Sequence, residues 1–304
     1  MSRNTRTFGA LATLLLLSIV SSGYAEVISS SLEAIARGRG AAEGSTILPL
    51  MRDSSQRFGT ELAEDDLLTL HADTSGEGPK GNGGGQADAV MGGYGVMKLF
   101  ANAVAIANDQ GKPYGYAEAE GHMQIAFTMD VPEGPLKDTP GKFIARWDID
   151  GSLTTSFSGA GTQNSSAYFR FWVWNSPVNF IASIANGEEY TSDSTVIYSE
   201  HSFNWGDRVT LGPNALVAAS TEPTARPDQT VSSTATALFF NTIRWGGIVS
   251  AEDADGNPVT DFTAFDKNGK DWLIPAPVPE PSTLTILMVG FSLVLRGSYR
   301  HMFR

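Results

Sequence analysis

Apolar and polar residues alternate along much of this chain with the period of a β-strand, two, and not that of a helix. The clearest run is Tyr114 to Met129. Ala117, Ala119, Gly121, Met123, Ile125, Phe127 and Met129 fall on one face, and Tyr114, Tyr116, Glu118, Glu120, His122 and Gln124 on the other. Phe143, Ala145, Trp147 and Ile149 alternate with Lys142, Arg146 and Asp148. Phe169, Phe171 and Val173 alternate with Tyr168, Arg170, Trp172 and Trp174. Further strands are expected at Val96 to Ala107, Thr195 to Trp205, Arg208 to Leu211, Ala215 to Ser220, Thr234 to Trp245 and Ile248 to Ala251. Turn residues punctuate them: Asn108-Asp109-Gln110-Gly111, Asp150-Gly151, Asn186-Gly187, Asp255-Gly256 and Asn268-Gly269. Many strands, regular turns and hardly any helix predict an all-β fold, an antiparallel β-sandwich of jelly-roll type.

The pattern is less regular ahead of these strands. Residues 26–75 are mixed, and Glu61 to His71 fits a short helix or a strand pair. Ser75 to Gly95 (SGEGPKGNGGGQADAVMGGYG) reads as a long glycine-rich surface loop. It lacks the Gly-Lys-Ser/Thr and the βαβ context of a phosphate-binding loop.

The two ends are of another kind. Arg3 and Arg6, the apolar stretch Leu11 to Val20 and the small-x-small site Gly23-Tyr24-Ala25 make residues 1–25 a secretory signal peptide. The body is then 26–275. Residues 276–304 begin with a proline-rich spacer, continue with an apolar run from Leu284 to Leu295, and end with Arg296, Arg300, His301 and Arg304. The run alone, at about 1.5 Å per residue, is shorter than a bilayer core of about 30 Å. Continued over about 284–300, with arginines snorkelling, it makes a single transmembrane helix whose basic end stays in the cytoplasm.

Composition narrows the functions open to the body. The chain carries a formal charge of −12. Without the five arginines of the two ends and Glu280, 16 basic and 32 acidic residues remain, a charge of about −16. That excludes nucleic acid as a partner, because such binding rests on phosphate neutralisation by Lys and Arg. The absence of cysteine removes disulfides, thiolate catalysis and zinc–thiolate sites.

The tail Val278-Pro279-Glu280-Pro281-Ser282-Thr283, with its apolar run and terminal arginines, resembles the PEP-CTERM sorting signal. Asn241-Thr242 followed by Asp255-Gly256-Asn257-Pro258-Val259-Thr260-Asp261-Phe262 is similar to the final strands of ectodomains in that family. The resemblance implies a Gram-negative exported protein that passes transiently through the inner membrane. An exosortase, a membrane protease, would recognise Pro279, Glu280 and Pro281, with Arg296, Arg300 and Arg304 completing the signal. It further implies a place in the cell envelope or extracellular matrix, in association with exopolysaccharide as in a biofilm.

Three candidate chemistries remain in the body. Tyr114, Tyr116, Glu118, Glu120 and His122 on one strand, with Tyr168, Arg170, Trp172 and Trp174 on another, would form a glycan-binding groove if the two faces shared one sheet. Sugars stack their C–H faces on aromatic rings, and their hydroxyls need carboxylate, Arg and amide partners. Asp253 and Asp255, with Asp266, Asn268 and Asp271, supply hard oxygens for Ca²⁺, as do Asp148 and Asp150. They are equally the residues of ordinary turns, and the body is expected to need no cofactor. Glu118 and Glu120, about 7 Å apart on one strand face, suit an acid–base pair on a glycosidic bond. No further hydrolase motif accompanies them, and no Gly-x-Ser-x-Gly is present. The expectation is a non-catalytic glycan-associated protein, against a secreted glycan hydrolase or a protein–protein adhesin.

Overall fold

The computed structural model describes residues 27–39, 51–58, 67–92 and 95–276. The expected signal peptide, residues 61–66 and the expected sorting tail from residue 277 lie outside the described residues. In chain order the strands are β1 (Val27–Arg39), β2 (Met51–Phe58), β3 (Leu67–Gly78), β4 (Gly81–Gly92), β5 (Val96–Asn108), β6 (Tyr114–Asp130), β7 (Pro140–Gly159), β8 (Gly161–Thr162), β9 (Ser165–Val173) and β10 (Asn179–Ala185). Then follow β11 (Glu189–Asn204), β12 (Arg208–Leu211), β13 (Pro213–Thr221), β14 (Thr224–Ala225), β15 (Thr230–Asp253) and β16 (Thr263–Phe265). The described residues are all-β, and every pairing is antiparallel.

The first sheet runs β10-β9-β13-β6-β1-β2, with β12 and β16 also paired to β6. The second runs β11-β7-β15-β5-β4-β3. Pairing is nested about the β9–β10 hairpin: β7 takes β11, β6 takes β13, and β5 takes β15. Each step outward changes sheet, so the chain wraps around one core to which both sheets contribute.

Strand period fixes which residues enter that core. Along β6 every residue of the Ala117–Met129 face is buried, and the Tyr114–Gln124 face is half-exposed, as the alternation predicts. One part of the core is aromatic. Phe169 of the first sheet stacks on Phe239 of the second with centroids 3.8 Å apart, and Trp147 meets Trp245 edge-on at 5.1 Å. The Trp245 indole N–H donates to the Trp272 carbonyl, and the Ala276 amide donates to the Trp245 carbonyl, so the end of the body is tied to β15.

Between β4, β5 and β6 the core is mostly alanine and glycine, and here the structure departs from the expected loop at 75–95. Residues 67–92 form the β3–β4 hairpin, and β4 is buried over most of its length. Glycine composition suggested a loop, but these glycines serve close approach of two backbones. A Cβ on Gly83 would stand 2.2 Å from the Tyr114 carbonyl oxygen, and one on Gly85 would stand 1.9 Å from that of Tyr116. The bare β4 backbone therefore lies directly on β6 of the opposite sheet.

Three smaller expectations also change. Asp150-Gly151 is no turn; it lies within β7, where Gly151 makes room for the Phe239 ring, 2.4 Å from where its Cβ would be. Thr234 to Trp245 and Ile248 to Ala251 are one strand, β15, whose register with β7 shifts after Leu238, after Trp245 and after Ile248. The strand β10, rich in small residues and flanked by Pro177 and Asn186-Gly187, was absent from the sequence reading.

Candidate functional site

The two predicted aromatic strands lie in the same sheet. β6 and β9 flank β13, so their outward residues form rows about 5 Å apart from strand to strand. Register puts Glu120, Leu216 and Arg170 in one row, His122, Asn214 and Trp172 in the next, and Glu118, Ala218 and Tyr168 in a third. β1 extends the rows beyond β6 with Glu33 beside Glu120, and β10 extends them beyond β9 with Ile181 beside Arg170 and Asn179 beside Trp172.

His122 sits at the centre of the polar half. Its Nε2 is 2.9 Å from Glu120 Oε1, and its Nδ1 meets Asn214 Oδ1. Asn214 is buried, and its amide nitrogen donates to the Gly212 carbonyl at 2.7 Å, which turns its oxygen toward the imidazole. Both ring nitrogens thus face acceptors, an arrangement that favours the doubly protonated imidazolium. The hydrogen bond to Glu120 accordingly raises the His122 pKa above its usual value, against the opposing effect of burial. A raised value means that this contribution to stability is complete below the unfolded pKa and fades as pH rises through the folded one. Tyr116 donates its hydroxyl to Glu118, and Tyr114 stacks beside Tyr116 with centroids 6.4 Å apart. Both Glu118 and Glu120 are therefore engaged by neighbours on their own strand.

The aromatic half has a different character. The Arg170 guanidinium lies over the Trp172 ring, 4.7 Å from its centroid, and its Nε donates to Asn179 Oδ1 at 2.9 Å. His122 meets the same indole edge-on at 6.1 Å. Trp172 is thus half-buried and already packed. Trp174 is 52% exposed. Its ring rests on Gly212, whose Cβ would stand 3.0 Å from the indole, and its amide donates to the Gly212 carbonyl. Neither residue belongs to the core, whose buried tryptophans are Trp147, Trp205, Trp245 and Trp272.

The chain matches no known protein family, no curated protein and no solved structure. The face must be read from its own chemistry.

The acidic turns use their carboxylates locally. Asp253 Oδ1 accepts from the amides of Asp255 and Asn257, and the bonds from Asn257 hold its pKa below the usual carboxylate value. Asp266 caps the amides of Asn268 and Lys270, and Asp271 caps that of Leu273. Asp148 is held between Arg146 at 2.7 Å and Arg244 at 3.2 Å. Among the described residues no cluster of three or more His, Asp or Glu side chains has the arrangement of a metal site.

Sequence reasoning missed Asn214, Leu216, Asn179 and Ile181. The first two lie on β13, expected as Ala215 to Ser220 but not as the neighbour of β6 and β9, and the last two on β10, which alternation does not predict. An asparagine on a strand flanked by apolar residues was the one available signal, since a buried amide needs partners.

Proposed function

We propose that this chain is an exported, non-catalytic protein of the cell envelope or extracellular matrix, sorted by an exosortase through Pro279-Glu280-Pro281, which holds exopolysaccharide on the outward face of its first sheet. The nested pairing of eight strands, β5-β6-β7-β9-β10-β11-β13-β15, supports a jelly-roll β-sandwich as the carrier of that face. The observation that carries the glycan reading is Trp174. It is a large, half-exposed ring resting on Gly212, two residues along the chain from Trp172, which itself carries Arg170 over its ring and is paired with Asn179: apolar surface followed by directed polar groups. A neutral polymer suits a face on which Arg170 and His122 stand near Glu33, Glu118 and Glu120 in a strongly acidic chain.

Affinity electrophoresis of the full chain in mild detergent, through the exopolysaccharide of the producing bacterium with and without calcium, tests the binding. The protein is expected to be retarded, and Trp174→Ala to weaken retention roughly tenfold with an unchanged unfolding midpoint. Retardation that Trp174→Ala leaves intact would move the ligand off this face. Loss of retardation on calcium removal would assign the metal to the acidic turns. No retardation at all would leave a protein–protein adhesin. For the sorting signal, alanine at Pro279, Glu280 and Pro281 should make unprocessed precursor accumulate in the membrane; unchanged processing would refute it.

A further inference from the structure

Apart from the short strands β12 and β16, each paired to β6 alone, the two sheets end in four edge strands among the described residues: β2 and β10 in the first, β3 and β11 in the second. A free edge exposes a row of unpaired amides and carbonyls, which proteins protect with charges, prolines or bulges. The sequences of three of the four carry such residues. β2 carries Arg52, Asp53 and Arg57. β3 carries His71, Asp73 and Glu77. β11 carries Glu189, Asp193 and Glu200, with a register shift between Ser192 and Thr195. β10, Asn-Phe-Ile-Ala-Ser-Ile-Ala, has no charge, no proline and an unbroken register with β9. Its Ile181 is 50% exposed.

The free groups of β10 can be assigned. Asn186 donates to the Ser165 carbonyl, in line with the β9 register, so the even-numbered residues of β10 bond to β9 and the odd-numbered ones point away. Ala185 is already satisfied, since Glu188 gives a carboxylate to its amide and takes its carbonyl. The outward groups left are those of Asn179, Ile181 and Ser183.

We propose that β10 is a self-association edge, on which a second copy of this chain adds its own β10 antiparallel about a two-fold axis at Ile181. In that register Ile181 faces Ile181 of the second copy, and Asn179 faces Ser183. The three residue pairs give about six hydrogen bonds, two at each. Ala185 falls opposite Pro177, so the residue whose groups are taken meets the one that has no amide. No like charges meet along the strand. The exposed Ile181 side chains cover one another, and Phe180, already packed on Phe169 at 5.9 Å, continues the inner layer across the axis. The first sheet becomes continuous through both copies, with an Arg170–Trp172–Trp174 group on each side of the axis. This pairing does not depend on the glycan reading.

The chain has no cysteine, so single cysteines report the register directly. The full chain in mild detergent should sediment as a concentration-dependent dimer. Under mild oxidation Ile181→Cys should give a covalent dimer, because the two sulfurs meet at the axis. Ser183→Cys, facing Asn179 of the second copy, should cross-link about tenfold more slowly. Ile181→Lys, on an exposed position that leaves the core untouched, should sediment as a monomer with an unchanged unfolding midpoint. A monomeric wild type, equal cross-linking of the two cysteine variants, or a dimer that survives Ile181→Lys would each overturn the proposal.

Discussion

Gly85→Ala is expected to destabilise this protein by about 3 kcal/mol, the upper end of what a well-packed core loses to one added methyl. The added Cβ would stand 1.9 Å from the Tyr116 carbonyl oxygen and 2.6 Å from its carbon. Both are backbone atoms of β6, the central strand of the first sheet, which pairs with β13 and β1. No side chain can rotate away, so the sheets must separate locally, and the alanine packing between β4, β5 and β6 opens with them. The usual gain from replacing a strand glycine, about 0.5–1 kcal/mol, offsets little of this. The melting temperature should fall by roughly 10 °C, at about 2–4 °C per kcal/mol for a domain of this size. Gly134→Ala is the matched control, since its Cβ would meet only the Pro132 carbonyl oxygen at 3.7 Å. Its effect should stay within about 0.5 kcal/mol. Urea unfolding followed by tryptophan emission compares the two. Equal midpoints would mean that β4 does not lie on β6.

Acid destabilisation centred on His201 is the second large effect. His201 is 7% exposed, stacks on Phe143 at 5.1 Å, and has Nε2 2.8 Å from Ser199 Oγ. The Trp147 indole N–H, a donor only, donates to the same oxygen at 3.0 Å. The serine hydroxyl proton is thereby directed to His201 Nε2, which accepts it as a neutral imidazole. Burial lowers the pKa to about 4, with Glu200 opposing. Because the folded pKa lies below the unfolded one, the neutral ring carries no penalty above pH 6.5. As pH falls from about 6.5 to 4 the unfolded chain takes up the proton first, and stability declines by about 3 kcal/mol before levelling off. His201→Gln keeps an acceptor for Ser199 and cannot titrate. The wild type should lose stability relative to this variant across that window, read as urea midpoints at a series of pH values. A constant difference would show that His201 does not titrate there. His122 acts with the opposite sign, since its pKa is raised, and the subtraction cancels it.

Strand period was legible because it depends on local chemistry alone. The alternation in Tyr114–Met129 named the buried and outward faces of β6 before any fold was known, and Arg208 to Leu211 matches β12 residue for residue. The candidate face was legible in pieces. Each half, Tyr114 to His122 and Tyr168 to Trp174, could be read along its own strand. That β13 lies between them is a long-range pairing, and no property of either segment encodes it.

Glycine shows the limit most clearly. At Asn186-Gly187 and Asn268-Gly269 the dipeptide makes the expected turn, and both Gly187 and Gly269 have positive φ. At Gly83, Gly85 and Gly151 the same residue sits inside a strand, because a carbonyl or an aromatic ring from elsewhere in the chain fills the place of its side chain. Whether a glycine is there to bend the backbone or to make room depends on what packs against it. Residue type, alternation and charge were enough to establish an all-β chain with one aromatic and one polar set of outward residues. Sheet order, the thin alanine–glycine part of the core, the unprotected β10 edge and the Gly212 seat of Trp174 arose only when distant strands met, since burial and register are properties of pairs and not of single segments.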